Sequence, residues 1–262
     1  VDVLYGFANR NWSLLGSEQD YLVANAARET ARFLQYTGNL KSIASSRAKA
    51  LADRSSITGT SAKVWIGIGE MVDFYDRANC ASYGMCDFAN RVQSAVLPIN
   101  HTCSSQLRIR AQSMAGSELA WACQQVAGID TYFHERLATQ RRPVADDLNT
   151  ALEMVVFDSS SDYQTYAGAI YGIDTNNGGM YLEGNPATPG NQARFIAYEA
   201  EWRRPTFEIW NLHHEYVHYL DGRYNLYGDF SRSISQRTVW WIEGLAEYIA
   251  YGFRNLTYTA AV

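Results

Sequence analysis

The chain has 262 residues, 47% of them apolar and 19% charged, a globular composition that can fill a core and excludes a disordered chain. The net charge is −5 and no Lys/Arg cluster stands out, which argues against a nucleic-acid partner; Arg141-Arg142 and Arg203-Arg204 read as solvated pairs. No apolar run approaches the roughly 18 residues of a membrane span, so no membrane partner is expected.

The chain opens at Val1 without Met or a basic-then-apolar leader, so a signal peptide is absent or already removed. Helical patterning starts almost at once and the last residues follow closely on a helix, so the sequence reads as a fragment or a processed form. Ser17-Glu18-Gln19-Asp20 predicts an N-cap with an acid in the first turn. Apolar residues then recur at Leu22, Ala26, Phe33 and Leu34, and Gly38 is expected to end the run. The pattern returns over 62–78 with Trp65, Ile68, Met71, Val72 and Tyr75. Residues 117–138 predict two more helices, broken near Gly128. No exact repeat emerges, so the first half reads as a helical support region compatible with a stack of helix pairs.

Four cysteines, Cys80, Cys86, Cys103 and Cys123, include no CxxC pair, which argues against a zinc knuckle. Two disulfides have three possible connectivities, of which Cys80–Cys86 with Cys103–Cys123 is the local one; four buried thiols are the competing reading. Disulfides would imply an oxidising compartment and a secreted, extracellular protein.

The character changes near Arg141-Arg142-Pro143, which predicts a helical region over 1–140 and a second domain over 141–262. Leu152 to Phe157 is apolar and β-branched, a strand. Ser161 with Gln164 forms a capping box for a helix to about Ile170. Asp174-Thr175-Asn176-Asn177-Gly178-Gly179 is a loop, Met180 to Glu183 a short strand, and Ala193 to Glu199 another, with Pro186 and Pro189 between them. Helical period returns from Pro205 to Leu220, with Asp221-Gly222 as its stop, and again over 238–253. Strands followed by helices bearing polar residues predict an α+β fold.

The chemistry lies on the first of those helices. His214 and His218, four apart, put two imidazoles on one face a turn apart, the spacing that lets both reach one tetrahedral zinc. Glu215 follows the first histidine, where it can act as general base on a metal-activated water; this is the HExxH arrangement. His213 is out of register and reads as packing or a local hydrogen bond. A third ligand is needed. Glu243 and Glu247 lie one turn apart in an otherwise apolar stretch, where burial would be costly unless they are paired or metal-bound. One can bind zinc while the other accepts the distal N–H of a ligand histidine. Glu243 is the first choice as ligand, although spacing alone leaves the two interchangeable. Gly244 is expected to let two helices approach. Three protein ligands and one open position are the catalytic pattern. The strand with Gly178, Gly179, Met180 and Tyr181 reads as an edge to which an extended substrate could add, or as an ordinary hairpin edge.

Three segments together, His-Glu-Tyr-Val-His-Tyr-Leu-Asp-Gly-Arg-Tyr at 214–224, Trp-Trp-Ile-Glu-Gly-Leu-Ala-Glu-Tyr at 240–248 and Gly-Gly-Met-Tyr-Leu-Glu at 178–183, resemble the secreted bacterial collagenases, especially those of the Vibrio type. The resemblance is close from about Asn149 to Arg254, and the first half is similar to the end of that family's helical activator region. It implies a thermolysin-like mixed sheet and a gluzincin peptidase domain. It also implies zinc on His214, His218 and Glu243, and Glu215 as catalytic acid and base. Glu247 would then orient a ligand histidine. It further implies a structural calcium, with Glu183 as side-chain ligand and Gly222, Leu226 and Gly228 as carbonyl donors. The family has a longer activator region, further peptidase residues and accessory collagen-binding modules, so weakened collagenolysis is expected of this stretch alone.

The function expected is a monomeric zinc endopeptidase acting on collagen or gelatin. The competing readings are a non-catalytic scaffold or collagen-binding fragment with a vestigial metal site, and a gluzincin of another substrate class, such as an aminopeptidase. The latter would need a recognition site for a free amine, and no acidic cluster suggests one.

Overall fold

Small and branched apolar residues at helical spacing build the first part of the computed structural model, which describes residues 1–257. The chain divides into two contact units: residues 1–96 with 164–173, and residues 97–163 with those from 174 onward. The first unit contains α1 (Asp2–Arg10), α2 (Asp20–Arg32), α3 (Gly38–Asp53), α4 (Ala62–Tyr75), α5 (Cys80–Tyr83) and α6 (Phe88–Val96). Val23, Ala27 and Ala31 of α2 and Val64, Ile68 and Val72 of α4 are fully buried, and these two helices pack together. Gly69 makes room for an aromatic ring: a Cβ there would lie 2.1 Å from Phe88. Cys80 is bonded to Cys86.

Two local expectations change here. Ser17 forms a turn rather than a cap, since its Oγ accepts from Gln19 N–H and donates to Leu14 O, and α2 begins at Asp20 without a side-chain cap. Gly38 does not close α2. It is the first residue of α3, at φ +65, so its freedom turns the chain into the next helix.

The second unit continues with β1 (Ile99–Ser104), β2 (Leu107–Ala111), α7 (Gly116–Leu137) and β3 (Leu152–Phe157). Helix α8 (Ser160–Tyr171) starts in this unit and ends among the residues of the first. Then follow β4 (Met180–Leu182), β5 (Arg194–Tyr198), α9 (Leu212–Tyr224), α10 (Phe230–Ser235) and α11 (Val239–Phe253). The five strands form one mixed sheet in the order β1-β2-β3-β5-β4. β2, β3 and β5 run parallel, while β1 and β4 pair antiparallel at the two edges. One face of the sheet, with Ile109, Met154 and Phe195, joins Val126 and Phe133 of α7, Val217 and Leu220 of α9, and Ala246 and Ile249 of α11 in one apolar cluster. Burial of that shared face, at about 25 cal/mol per Å², is what fixes α9 and α11 against the sheet. The fold is therefore α+β with a helical N-terminal half.

The contact division falls between Val96 and Leu97, earlier than the composition shift near Arg141. The reason is the β1–β2 hairpin, which lies inside the stretch expected as a helical region. β2 pairs with β3 from Leu107↔Leu152 to Ala111↔Val156, and Cys103 at the hairpin is bonded to Cys123 of α7. The alternation Leu107, Ile109, Ala111, buried on one side, is the signal that could have revealed it. Reduction of Cys103–Cys123, which spans 20 residues, is expected to lower stability by about 3 kcal/mol on the loop-entropy model; urea unfolding of the Cys103→Ser/Cys123→Ser protein checks this.

Helix α7 is unbroken at Gly128. A Cβ at that position would lie 2.9 Å from the Phe253 ring, so the glycine serves close packing against α11 rather than a break. The cap of α8 sits earlier than expected: Ser159 Oγ accepts from Asp162 N–H at 3.1 Å. The stretch from Pro205 is not helical until Leu212, because Ala200 N–H bonds Glu208 O and Trp210 N–H bonds Tyr198 O, which holds it against the end of β5. Asp221-Gly222 does not stop α9, which runs to Tyr224.

Candidate metal centre and cleft

Helix α9 buries Leu212, Tyr216, Val217 and Leu220 in the core, and that register turns His214 and His218 the other way. Their rings stand edge to face, 4.6 Å between centroids, with the two Nε2 atoms 3.0 Å apart. Helix α11 packs against α9 and brings two acids to them. Glu243 Oε2 lies 3.3 Å from His214 Nε2 and 3.7 Å from His218 Nε2. Glu247 Oε1 lies 3.1 Å from His214 Nδ1, on the far side of that ring. The two acids that spacing left interchangeable thus take different places, Glu243 beside both Nε2 atoms and Glu247 behind one imidazole.

These residues fit a tetrahedral metal. Ligands at about 2.0–2.1 Å from one zinc lie roughly 3.3–3.4 Å from each other. The three edges measured here, 3.0, 3.3 and 3.7 Å, bracket that value. The donor set of two imidazoles and one carboxylate suits zinc. Burial, with His214 adding to it, pulls His218 down to about 4, which keeps that ring neutral, as ligation requires. Burial also works against a proton on His214, but Glu243, Glu215 and Glu247 outweigh it and hold its pKa above the ordinary value. The hydrogen bond with His214 holds Glu243 below the usual carboxylate range.

The acids of α11 are less buried than an apolar stretch suggested: the Glu243 side chain is 53% exposed and opens into the cleft. Gly244 does not mediate helix contact, since a Cβ there would meet nothing within 4 Å. Close approach occurs instead at Gly252, where a Cβ would lie 2.6 Å from the Tyr132 hydroxyl.

Glu215 projects to the side of the histidines and is buried. Its Oε2 accepts the Tyr181 N–H at 3.0 Å. Burial pushes its carboxyl up to about 7, against the opposing pull of His214 and of that amide. The sequence held no sign of this backbone donor, because only the pairing of β4 with β5 brings Tyr181 to α9. His213 makes the local bond expected of it, its Nε2 3.1 Å from Gln125 Oε1, with its ring against Phe253.

Glu215, His214, His218 and Glu243 line a cleft of ≈ 490 Å³ whose opposite wall is β4 with Gly179 and Tyr181. β4 is the sheet's edge. Gly178 lies just before it, against Trp210 and Asn211. The same cleft reaches Glu183, Gly222, Leu226 and Gly228. Glu183 Oε2 accepts the Phe230 N–H at 2.7 Å. Its Oε1 lies 2.7 Å from where a Cβ of Gly222 would be, so that glycine leaves room for the carboxylate within α9. Burial, followed by Asp229, Asp147 and Asp146, raises Glu183 to about 7. Gly228 has φ +100, a turn that few other residues would allow.

A family model described as collagenase, peptidase family M9, matches residues 51–262. The microbial collagenase of Vibrio alginolyticus is 44% identical over 238 residues, covering 91% of this chain and 29% of that protein. That of Vibrio vulnificus is 36% identical over 96% of the chain and 31% of its own length. Collagenase ColQ1 of Bacillus cereus is 32% identical over 52% of the chain. The chain spans under a third of the length of the Vibrio relatives.

Proposed function

Since the chain belongs to the collagenase family of metallopeptidases, we propose that its cleft is that of a zinc-dependent endopeptidase acting on collagen or gelatin. The observation that carries this is the convergence of His214, His218 and Glu243 within 4.8 Å of one another, beside a buried carboxylate with no place in that set. Zinc held by these three would supply Lewis-acid polarisation of the scissile carbonyl and a water of lowered pKa.

The protein's own groups do the rest. Glu215 takes a proton from the attacking water on its carboxylate and delivers it to the leaving amine nitrogen. Its burial favours the protonated form, so the acid persists long enough to donate. The Tyr181 N–H holds Oε2 in place, and Glu247 holds His214 through Nδ1 so that Nε2 points into the cleft. Glu247→Gln is expected to keep the fold and weaken zinc binding by about 10–100-fold; competition with a zinc indicator measures it.

The edge strand from Gly178 to Tyr181 is proposed as the rail along which an extended substrate lies. Glu183 with the carbonyls of Gly222, Leu226 and Gly228 is proposed to hold a structural calcium, an oxygen-only set around a glycine-bearing loop. Disulfide-linked cysteines in both units and a family of that kind support secretion, with residues before the peptidase part as an activator-type region. Among the described residues no helix is long and apolar enough to cross a membrane.

A peptide blocked at both ends tests the reading. The zinc-loaded protein is expected to cleave it internally, and strict dependence on a free N-terminus would identify an aminopeptidase instead. Loss of gelatin cleavage with blocked peptides still cut would narrow the substrate class.

A further inference from the structure

Two backbone donors on the free edge of β4 are already engaged. Tyr181 N–H donates to Glu215 Oε2 at 3.0 Å and Gly179 N–H to Asn177 Oδ1 at 3.1 Å. In an antiparallel ladder the N–H and C=O of one residue point to the same side. Tyr181 therefore turns its carbonyl, like its N–H, away from β5. An extended peptide laid on this edge finds the Tyr181 carbonyl as an acceptor, but the N–H groups of Gly179 and Tyr181 are not available to its own carbonyls. Carbonyls desolvated without partners weaken binding.

Two donors stand at the Gly178 end of the edge. Trp210 Nε1 and Asn211 Nδ2 each lie 2.7 Å from where a Cβ on Gly178 would be. Neither side-chain nitrogen has a hydrogen-bond partner among the described residues. Asn211 is the N-cap of α9, where an asparagine side chain ordinarily binds a free N–H of the first turn. Here it makes no such bond and sits at φ +55, ψ 14. Trp210 is anchored from behind: its backbone N–H donates to Tyr198 O at 2.9 Å, and its ring meets Trp202 edge to face at 5.1 Å. The absence of a side chain on Gly178 is what leaves both donors open.

We propose that Trp210 and Asn211 are specificity-determining residues, donating Nε1–H and Nδ2–H to main-chain carbonyls of an extended peptide that lies along β4. The assignment rests on the endopeptidase reading above and adds a substrate preference to it. A proline-rich strand lacks many N–H groups but keeps every carbonyl. A rail with two of its N–H groups engaged, flanked by side-chain donors, holds such a strand better than one relying on the guest's amides.

The test uses the zinc-loaded protein and doubly blocked peptides lengthened one residue at a time on either side of the scissile bond. Trp210→Phe keeps the ring and deletes its donor; Asn211→Gly suits the positive φ and deletes the amide. Each variant is expected to lose about tenfold in kcat/KM on the longest peptides, chiefly through KM. Each should cleave the shortest at the wild-type rate, with zinc content and Tm unchanged. A longest peptide with the reaching carbonyl reduced to methylene should suffer in the wild type and no further in the variants. Equal loss at every length, or none at the longest, would overturn the assignment. Glu215→Gln separates the two levels. If that variant is inactive and the length series is flat, the donor assignment alone fails; if it cleaves like the wild type, the endopeptidase reading fails and takes the donors with it.

Discussion

Glu215→Gln is expected to lower cleavage of a blocked peptide by at least about 10²–10⁴-fold, the range assigned to general acid–base catalysis. Glutamine keeps the shape of the side chain and an oxygen to accept the Tyr181 N–H. It cannot take a proton from water or pass one to an amine. The loss should fall on kcat and kcat/KM together, because the proton transfer occurs in the transition state and not in substrate binding. Thermal stability should hold or rise, since a neutral amide replaces a carboxylate whose charged form is disfavoured by burial. Zinc content should stay at the wild-type level, as Glu215 is outside the group of three placed to hold an ion. Activity within threefold of the wild type, on a sample freed of contaminating protease, would reject Glu215 as the base.

The second large effect concerns the metal. Zinc is expected to bind at one ion per chain through the three-ligand group and to raise the Tm, because the ion binds only where α9 and α11 are assembled. At a free concentration of about 1,000 Kd the stabilisation is roughly 4 kcal/mol. A chelator should reverse it. His218→Ala and Glu243→Ala should each lose tight zinc binding and the zinc-dependent part of the Tm. The zinc-free Tm of Glu243→Ala should stay close to that of the wild type, because this side chain is 53% exposed and its removal empties no core. The measurements are metal content after gel filtration and scanning calorimetry with and without zinc. A Glu243→Ala protein that holds zinc as tightly as the wild type would place the third ligand elsewhere.

Some of this architecture was legible in the residues because it depends on spacing within one element. The period of 3.6 residues puts His214 and His218 on one face whatever surrounds them, and the same period places Glu243 and Glu247 a turn apart. The strands over 152–157 and 194–198, the second expected over 193–199, were readable from largely apolar stretches bounded by turn residues. The elements misread are those whose glycines or alternation answer to a neighbour. Gly128 and Gly222 look like helix breaks in one dimension, yet each lies within a helix and faces a side chain from another element, Phe253 and Glu183. The β1–β2 hairpin is short, and β3 completes its pairing from 45 residues further along the chain, Leu107 with Leu152.

What the amino-acid sequence determined by itself was the donor inventory of the site: two imidazoles and a following carboxylate on one helix, and a pair of acids on another. Helical geometry is local, so that inventory needed no fold to be read. Which acid faces the Nε2 atoms, that the cleft's far wall is a sheet edge, that Tyr181 holds Glu215, and that Trp210 and Asn211 stand open at Gly178 were decided only by tertiary structure. Each depends on the distance between elements remote in sequence. Those distances are set by the apolar face shared by the sheet, α7, α9 and α11, and packing of that kind leaves no signature in the spacing of any one of them.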